Sequence, residues 1–142
     1  MAKKLPALAD FAEEALDLGF GCFTEGDPWP FILLVFKTGK RDLVELQSAD
    51  ETISEMLLNN GREIIQGFDD GLYYALVWDG YLTRAGKRQE DVFAEIGSSD
   101  GRAFVLAQRY KRPKSADPAK VGKPLQVAEA GNLWNDDGDA TE

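Results

Sequence analysis

Residues 72–110 read LYYALVWDGYLTRAGKRQEDVFAEIGSSDGRAFVLAQRY, and the fold turns on this stretch. Leu72 to Trp78 is dense in tyrosine and β-forming residues, Asp91 to Ile96 is extended, and Arg102 to Tyr110 forms the last strand after a turn at Ser98-Ser99-Asp100-Gly101. Asp79-Gly80 admits two readings, a tight hairpin turn or a bulge inside a longer strand reaching Thr83, and the bulge is preferred. Arg84-Ala85-Gly86-Lys87-Arg88 follows it. Three successive antiparallel strands bring the end of the first and the end of the third to one edge of the sheet. Arg84, Lys87 and Arg88 are therefore expected beside Arg109, Lys111, Arg112 and Lys114, and Asp69 and Asp70 beside Asp100 at the opposite edge.

Working back toward the N-terminus, Ser48 and Glu51 have the spacing of a capping box, which opens a second helix running to Gly67. Ile53, Leu57, Gly61, Ile64 and Phe68 trace its apolar face. Either Gly61 lets one helix approach the sheet closely, or Asn59-Asn60-Gly61 divides two helices. Phe31 to Lys37 and Asp42 to Gln47 form a hairpin about the turn Thr38-Gly39-Lys40-Arg41, and its first strand reads as buried on both faces. Gly19 to Pro30 is expected to be a loop, with Phe20, Cys22, Phe23 and Trp29 as core anchors or as the lining of a pocket. Before it, Leu8, Phe11, Ala12, Ala15 and Leu18 fall on one helical face between Pro6 and Leu18, with Gly19 as the stop.

The fold class is thus α+β: an antiparallel sheet of about five strands with two main helices, in the order α-ββ-α-βββ. Residues 1–112 form a single domain. Residues 113–142, rich in Pro, Lys, Ala, Gly and Asp, are expected to be an acidic, largely irregular tail. The order of elements is similar to the roadblock and profilin-like layouts, in which a five-stranded antiparallel sheet carries helices. That likeness brings no residue motif with it and implies no activity and no binding residue.

The 142 residues include no histidine and a single cysteine, Cys22, and carry a formal net charge of −9. Without histidine there is no Ser-His-Asp triad, no Cys-His pair and no His-ligated metal. One cysteine allows no internal disulfide and suits a reducing, cytoplasmic compartment. The negative balance speaks against a nucleic-acid partner. No apolar run reaches the ~18 residues of a membrane span, and Asp10, Glu13, Glu14 and Asp17 interrupt any export signal.

Three groups of residues could carry function. The cations gathered by the meander suit an anion site, an acidic partner segment or the chain's own acidic tail, or else merely guard strand edges. Tyr73, Tyr74, Trp78 and Tyr81 alternate across the sheet, so some of them need cover from helices, tail or partner. Asp69 and Asp70 could hold magnesium, although adjacent acids before a glycine are more often a loop, and Gly39-Lys40-Arg41 lacks the spacing of a phosphate loop.

The reading is a non-catalytic protein-binding module of adaptor, inhibitor or chaperone type, with no cofactor and with a protein partner or a second copy as a homodimer. Its candidate binding residues are Arg84, Lys87, Arg88, Arg109, Lys111, Arg112, Tyr73 and Trp78. The alternative is a small-molecule or phosphate-bearing anion binder, an enzyme among its forms, at the basic end of the meander.

Overall fold

The computed structural model describes residues 5–26, 29–47, 54–113 and 116–134. Two helices, α1 (Leu8–Thr24) and α2 (Ser54–Gln66), accompany seven strands: β1 (Phe31–Phe36), β2 (Arg41–Glu45), β3 (Gly71–Arg84), β4 (Lys87–Ser98), β5 (Ala103–Lys111), β6 (Ala119–Lys120) and β7 (Leu125–Glu129). The strands are antiparallel in the order β2-β1-β3-β4-β5, and both β6 and β7 pair with β5.

Successive strand residues point to opposite faces, and the two apolar clusters follow that alternation. Phe31, Leu33, Val35, Ala75, Val77, Val92 and Ala94 pack with Phe11, Ala15, Leu16 and Phe23 of α1. Ile32, Leu34, Phe36, Tyr74 and Leu76 pack with Leu58 and Ile65 of α2. The helices therefore lie on opposite faces of the sheet. Every residue of β1 is buried as a result, which is why Phe31–Phe36 reads as an uninterrupted apolar run.

Four expectations change. The sheet has seven strands and not five, because the polar segment after Lys111 covers the edge of β5 that would otherwise offer unpaired backbone groups. The helix does not stop at Gly19 but continues to Thr24. A Cβ at Gly19 would stand 2.6 Å from Val92 and 2.7 Å from Val77, so the glycine that weakens the helix is what lets it settle on the sheet. On α2 the buried positions are Leu57, Leu58, Gly61 and Ile65, while Ile64 is 40% exposed. Gly61 does provide the close approach, its Cβ position lying 2.8 Å from Leu46 and 2.9 Å from Leu76. Ser48, Glu51 and Ile53 lie outside the described residues.

The fourth change concerns the meander. β3 and β4 pair without a register shift from Tyr73↔Ser98 to Arg84↔Lys87, so Asp79-Gly80 is regular strand and not a bulge. The reversal is the two-residue turn Ala85-Gly86, with φ of 52° and 79°. Positive φ at both central residues gives the backbone twist that matches two right-twisted strands.

Candidate functional site

The two ends of the sheet are built differently. β1 pairs with β3 only as far as Val77, opposite Phe31, whereas β3 and β4 continue together to Arg84 and Lys87. The excess length makes a two-stranded ribbon, residues 79–90, that extends beyond β1. Its base is fixed by Arg84, whose Nη1 and Nη2 donate to the two carboxylate oxygens of Asp91, each at 2.7 Å. Asp91 is fully buried and Arg84 is mostly so, and this bidentate pairing is the strong form of a charged hydrogen bond. The positive charge of Arg84 is neutralised inside the ribbon.

On the α1 side of the sheet, Arg112 joins β5 to the end of the helix. Its Nη2 donates to the carbonyl of Phe23 at 2.9 Å and to the Tyr110 hydroxyl at 3.2 Å, and its Nε donates to Glu90 at 3.3 Å. A cation against the last carbonyls of a helix complements the negative end of its dipole. The Tyr110 hydroxyl donates to Glu90 at 3.2 Å, and its ring meets Phe20 edge-on at 5.9 Å. Burial, with Glu90 adding to it, pushes the Tyr110 phenol up to about 12 despite the opposing Arg112. Partial desolvation likewise raises the carboxyl of Asp79, an exposed residue of β3, with Glu90 adding to it and Arg112 opposing.

Above this cluster lies an open groove of about 440 Å³, whose walls include Tyr81, Arg88, Arg109, Tyr110, Lys111 and Arg112. The Arg88 guanidinium sits 4.1 Å over the ring of Tyr81, and Tyr81 is 55% exposed. Arg88, Arg109, Lys111 and Arg112 thus line one groove, with Lys87 beside it at the turn. Among the described residues, Lys87, Arg88, Arg109 and Lys111 meet no carboxylate. Lys114 lies outside the described residues.

The remaining two candidates are elsewhere. Tyr73 is buried on the α1 side, its ring 5.2 Å from Phe11 and its hydroxyl donating to the Pro6 carbonyl at 2.9 Å. Trp78 is half-buried on the α2 side, stacked on Phe93 at 5.6 Å. Both are packing residues, because a helix on each face takes up the alternating aromatics. Phe20, Cys22 and Phe23 belong to α1 and pack with its core cluster.

The opposite end of the sheet carries a feature absent from the sequence-based reading. Asn132 is buried, and its Nδ2 donates to the carbonyls of Ser98 at 2.8 Å and Arg102 at 2.9 Å. Its Oδ1 accepts the Trp134 amide at 2.9 Å. The Leu133 amide donates to the Tyr74 hydroxyl at 3.1 Å, and the Trp134 indole donates to the Ile65 carbonyl at 2.8 Å. The Trp134 ring lies over Gly71, where a Cβ would be 2.3 Å from it, and meets Tyr74 edge-on at 4.9 Å. Residues 132–134 therefore clasp the meander turn to the end of α2. The one available signal was a large aromatic in an otherwise polar segment.

This clasp end is also the acidic end. Asp70 and Leu72 bond through their carbonyls to Lys37 and Ser99, which sets Asp69 and Asp70 near the turn holding Asp100. Hydrogen bonds from the Arg102 side chain and backbone hold the Asp100 carboxyl down at about 2. The tail thus starts beside the basic groove, where β6 pairs with Tyr110 and Lys111, and reaches the opposite end of the sheet at Trp134. Among the described residues no group of three or more Asp, Glu, His or Cys is placed to hold a metal ion, and no helix is long and apolar enough to cross a membrane.

Comparison of the chain with protein-family models, with curated proteins and with solved structures found no match.

Proposed function

We propose that this chain is a non-catalytic protein-binding module, of the adaptor, inhibitor or chaperone kind, that receives an acidic segment of a partner at the ribbon end of its sheet. The observation that carries the reading is the cationic rim of the groove: Arg88 over the exposed Tyr81 and, on the adjoining strand, Arg109 and Lys111, none of them in an ion pair among the described residues, while the carboxylate that lines the groove, Glu90, is held by Arg112 and Tyr110. In a chain of net charge −9, such a concentration of positive charge at one end steers an acidic ligand to that end and repels it elsewhere. Single exposed ion pairs contribute only ~0–1 kcal/mol. Binding therefore needs several contacts together, as an extended peptide provides. A cytoplasmic setting, and partners other than nucleic acid or membrane, belong to the same reading, resting on the lone Cys22 and the acidic balance.

The test is fluorescence polarisation of a labelled Asp/Glu-rich peptide titrated with the protein at low and high salt, beside the doubly substituted chain Arg88→Glu, Lys111→Glu. Binding that weakens with salt and falls at least tenfold in the substituted chain, with an unchanged melting temperature, supports the reading. Equal binding by both chains, or none by either, overturns it. If inorganic phosphate or nucleotides raise the melting temperature by mass action while the peptide does not bind, the groove is a small-anion site instead.

A further inference from the structure

Resting on that reading, we infer that the acidic segment can be supplied by a second copy of the chain: the residues after Trp134 of one molecule engage the basic groove of another, head to tail. These residues run Asn135-Asp136-Asp137-Gly138-Asp139-Ala140-Thr141-Glu142, four carboxylates in a stretch with no basic residue. Their point of departure is fixed. Trp134 is anchored over Gly71 by its indole bond to Ile65 and by its packing on Tyr74.

Within one molecule that anchor stands too far from the cations at the ribbon tip. Gly71 and Arg84 are the two ends of β3, thirteen residue steps of about 3.3 Å apart, so the ribbon turn with Lys87 and Arg88 lies roughly 40 Å from the clasp. Eight residues beyond Trp134, fully extended, reach at most about 28 Å, and the five to Asp139 about 18 Å. The carboxylates therefore cannot meet the ribbon tip of their own chain. In a second molecule no such limit applies.

Charge sets the orientation of the contact. Two ribbon ends would bring like charges together, as would two clasp ends, each with Asp69, Asp70 and the acidic residues that follow Trp134 in sequence. Only the basic end of one copy against the acidic end of the next is complementary. Such a contact is heterologous, so each copy keeps one free end and association grows with concentration instead of closing into a symmetric dimer. It weakens as salt shortens the screening length from ~30 Å at 0.01 M to ~8 Å at 0.15 M.

Sedimentation equilibrium of the full chain at low salt tests this, with two variants. One replaces the tail charges (Asp136→Ser, Asp137→Ser, Asp139→Ser, Glu142→Gln), and the other reverses the groove (Arg88→Glu, Lys111→Glu). The expected result is a mass that rises with concentration for the parent chain, monomers for each variant alone, and a complex of one of each when the two are mixed. In that mixture only the intact groove of the first and the intact tail of the second remain to pair. A parent chain that stays monomeric up to its solubility limit, or a mixture that stays monomeric, overturns the inference. Binding of the external acidic peptide in that case leaves the proposed function standing, whereas loss of both removes the groove as a binding site.

Discussion

The clasp end and the ribbon end share the same central strands and treat their polar groups in opposite ways. At the clasp end, Asn132, Leu133 and Trp134 place their side-chain and backbone donors on Ser98, Arg102, Tyr74 and Ile65. At the ribbon end, Asp91 and Glu90 take Arg84 and Arg112, and Lys87, Arg88 and Lys111 are left facing solvent. A buried polar group left unsatisfied costs about 1–3 kcal/mol, so the clasp is where the fold is vulnerable to substitution. The exposed cations lose nothing on folding and remain available to a partner. Trp134→Ala should accordingly have the largest effect, a loss of about 4 kcal/mol in denaturant unfolding, since it removes a large ring as well as an indole hydrogen bond. Gly71→Ala should be costly in the parent chain, where its methyl would meet that ring, and much cheaper once the ring is gone. Equal costs in both backgrounds would mean that the ring does not rest on Gly71.

The ribbon has its own structural core, and the two partners in it are unequal. Arg84→Ala leaves the fully buried Asp91 carboxylate without its cation, which should cost about 3 kcal/mol. Asp91→Ala leaves a guanidinium that is 26% exposed and can turn toward water, so about half that loss is expected. Amide exchange should speed up over residues 79–90 in both variants and stay slow at the clasp. Were Asp91→Ala the more damaging, the burial asymmetry would not govern the pair.

One buried phenol at each end allows the comparison to be repeated with pH. Burial pushes both Tyr74 and Tyr110 up from 10.0 to about 12. Because these folded values lie above the ordinary one, the protons are held more tightly in the folded chain. The associated stability is complete below pH 10 and disappears as pH rises through about 12. Alkaline unfolding should fall in that window, and the ultraviolet signal of tyrosinate should follow it. Tyr110→Phe should flatten the loss without touching the clasp, while Tyr74→Phe should also cost about 1 kcal/mol at neutral pH, since the Leu133 amide loses its acceptor.

How much of this was legible in the sequence depends on how far the determining contacts lie along the chain. β1 and β3 announce themselves because each is apolar over the stretch that both helices cover. β7 does not, since four of its five side chains are exposed and only pairing with β5 makes it a strand. Gly19 reads locally as a helix stop, and the reason it is not one is Val77 and Val92, far away in sequence. Counting strand ends was enough to bring Arg88, Arg109 and Lys111 to one end of the sheet. It could not say which cations are neutralised, because that follows from the pleat: Asp91 faces Arg84 on one side of β4, and its neighbour Glu90 faces Arg112 on the other. Nor could it place Trp134, whose partners Ile65, Gly71 and Tyr74 come from three separate elements.

The smallest effect is expected at the ribbon turn, and it runs toward stability. Ala85 holds φ at 52°, a left-handed conformation that costs a residue with a Cβ about 1–2 kcal/mol. Asparagine tolerates that conformation and precedes glycine in the preferred two-residue hairpin turns. Unlike glycine, it does not greatly enlarge the freedom of the unfolded chain. Ala85→Asn should therefore add about 0.5–1 kcal/mol, seen as slower amide exchange over residues 79–90 and a small rise in melting temperature. The clasp, roughly 40 Å away along β3, shares no contact with this turn, so the effects of Ala85→Asn and Trp134→Ala should add. Marked non-additivity would mean that the two ends of the sheet are coupled, and that the ribbon is not the independent arm its pairing implies.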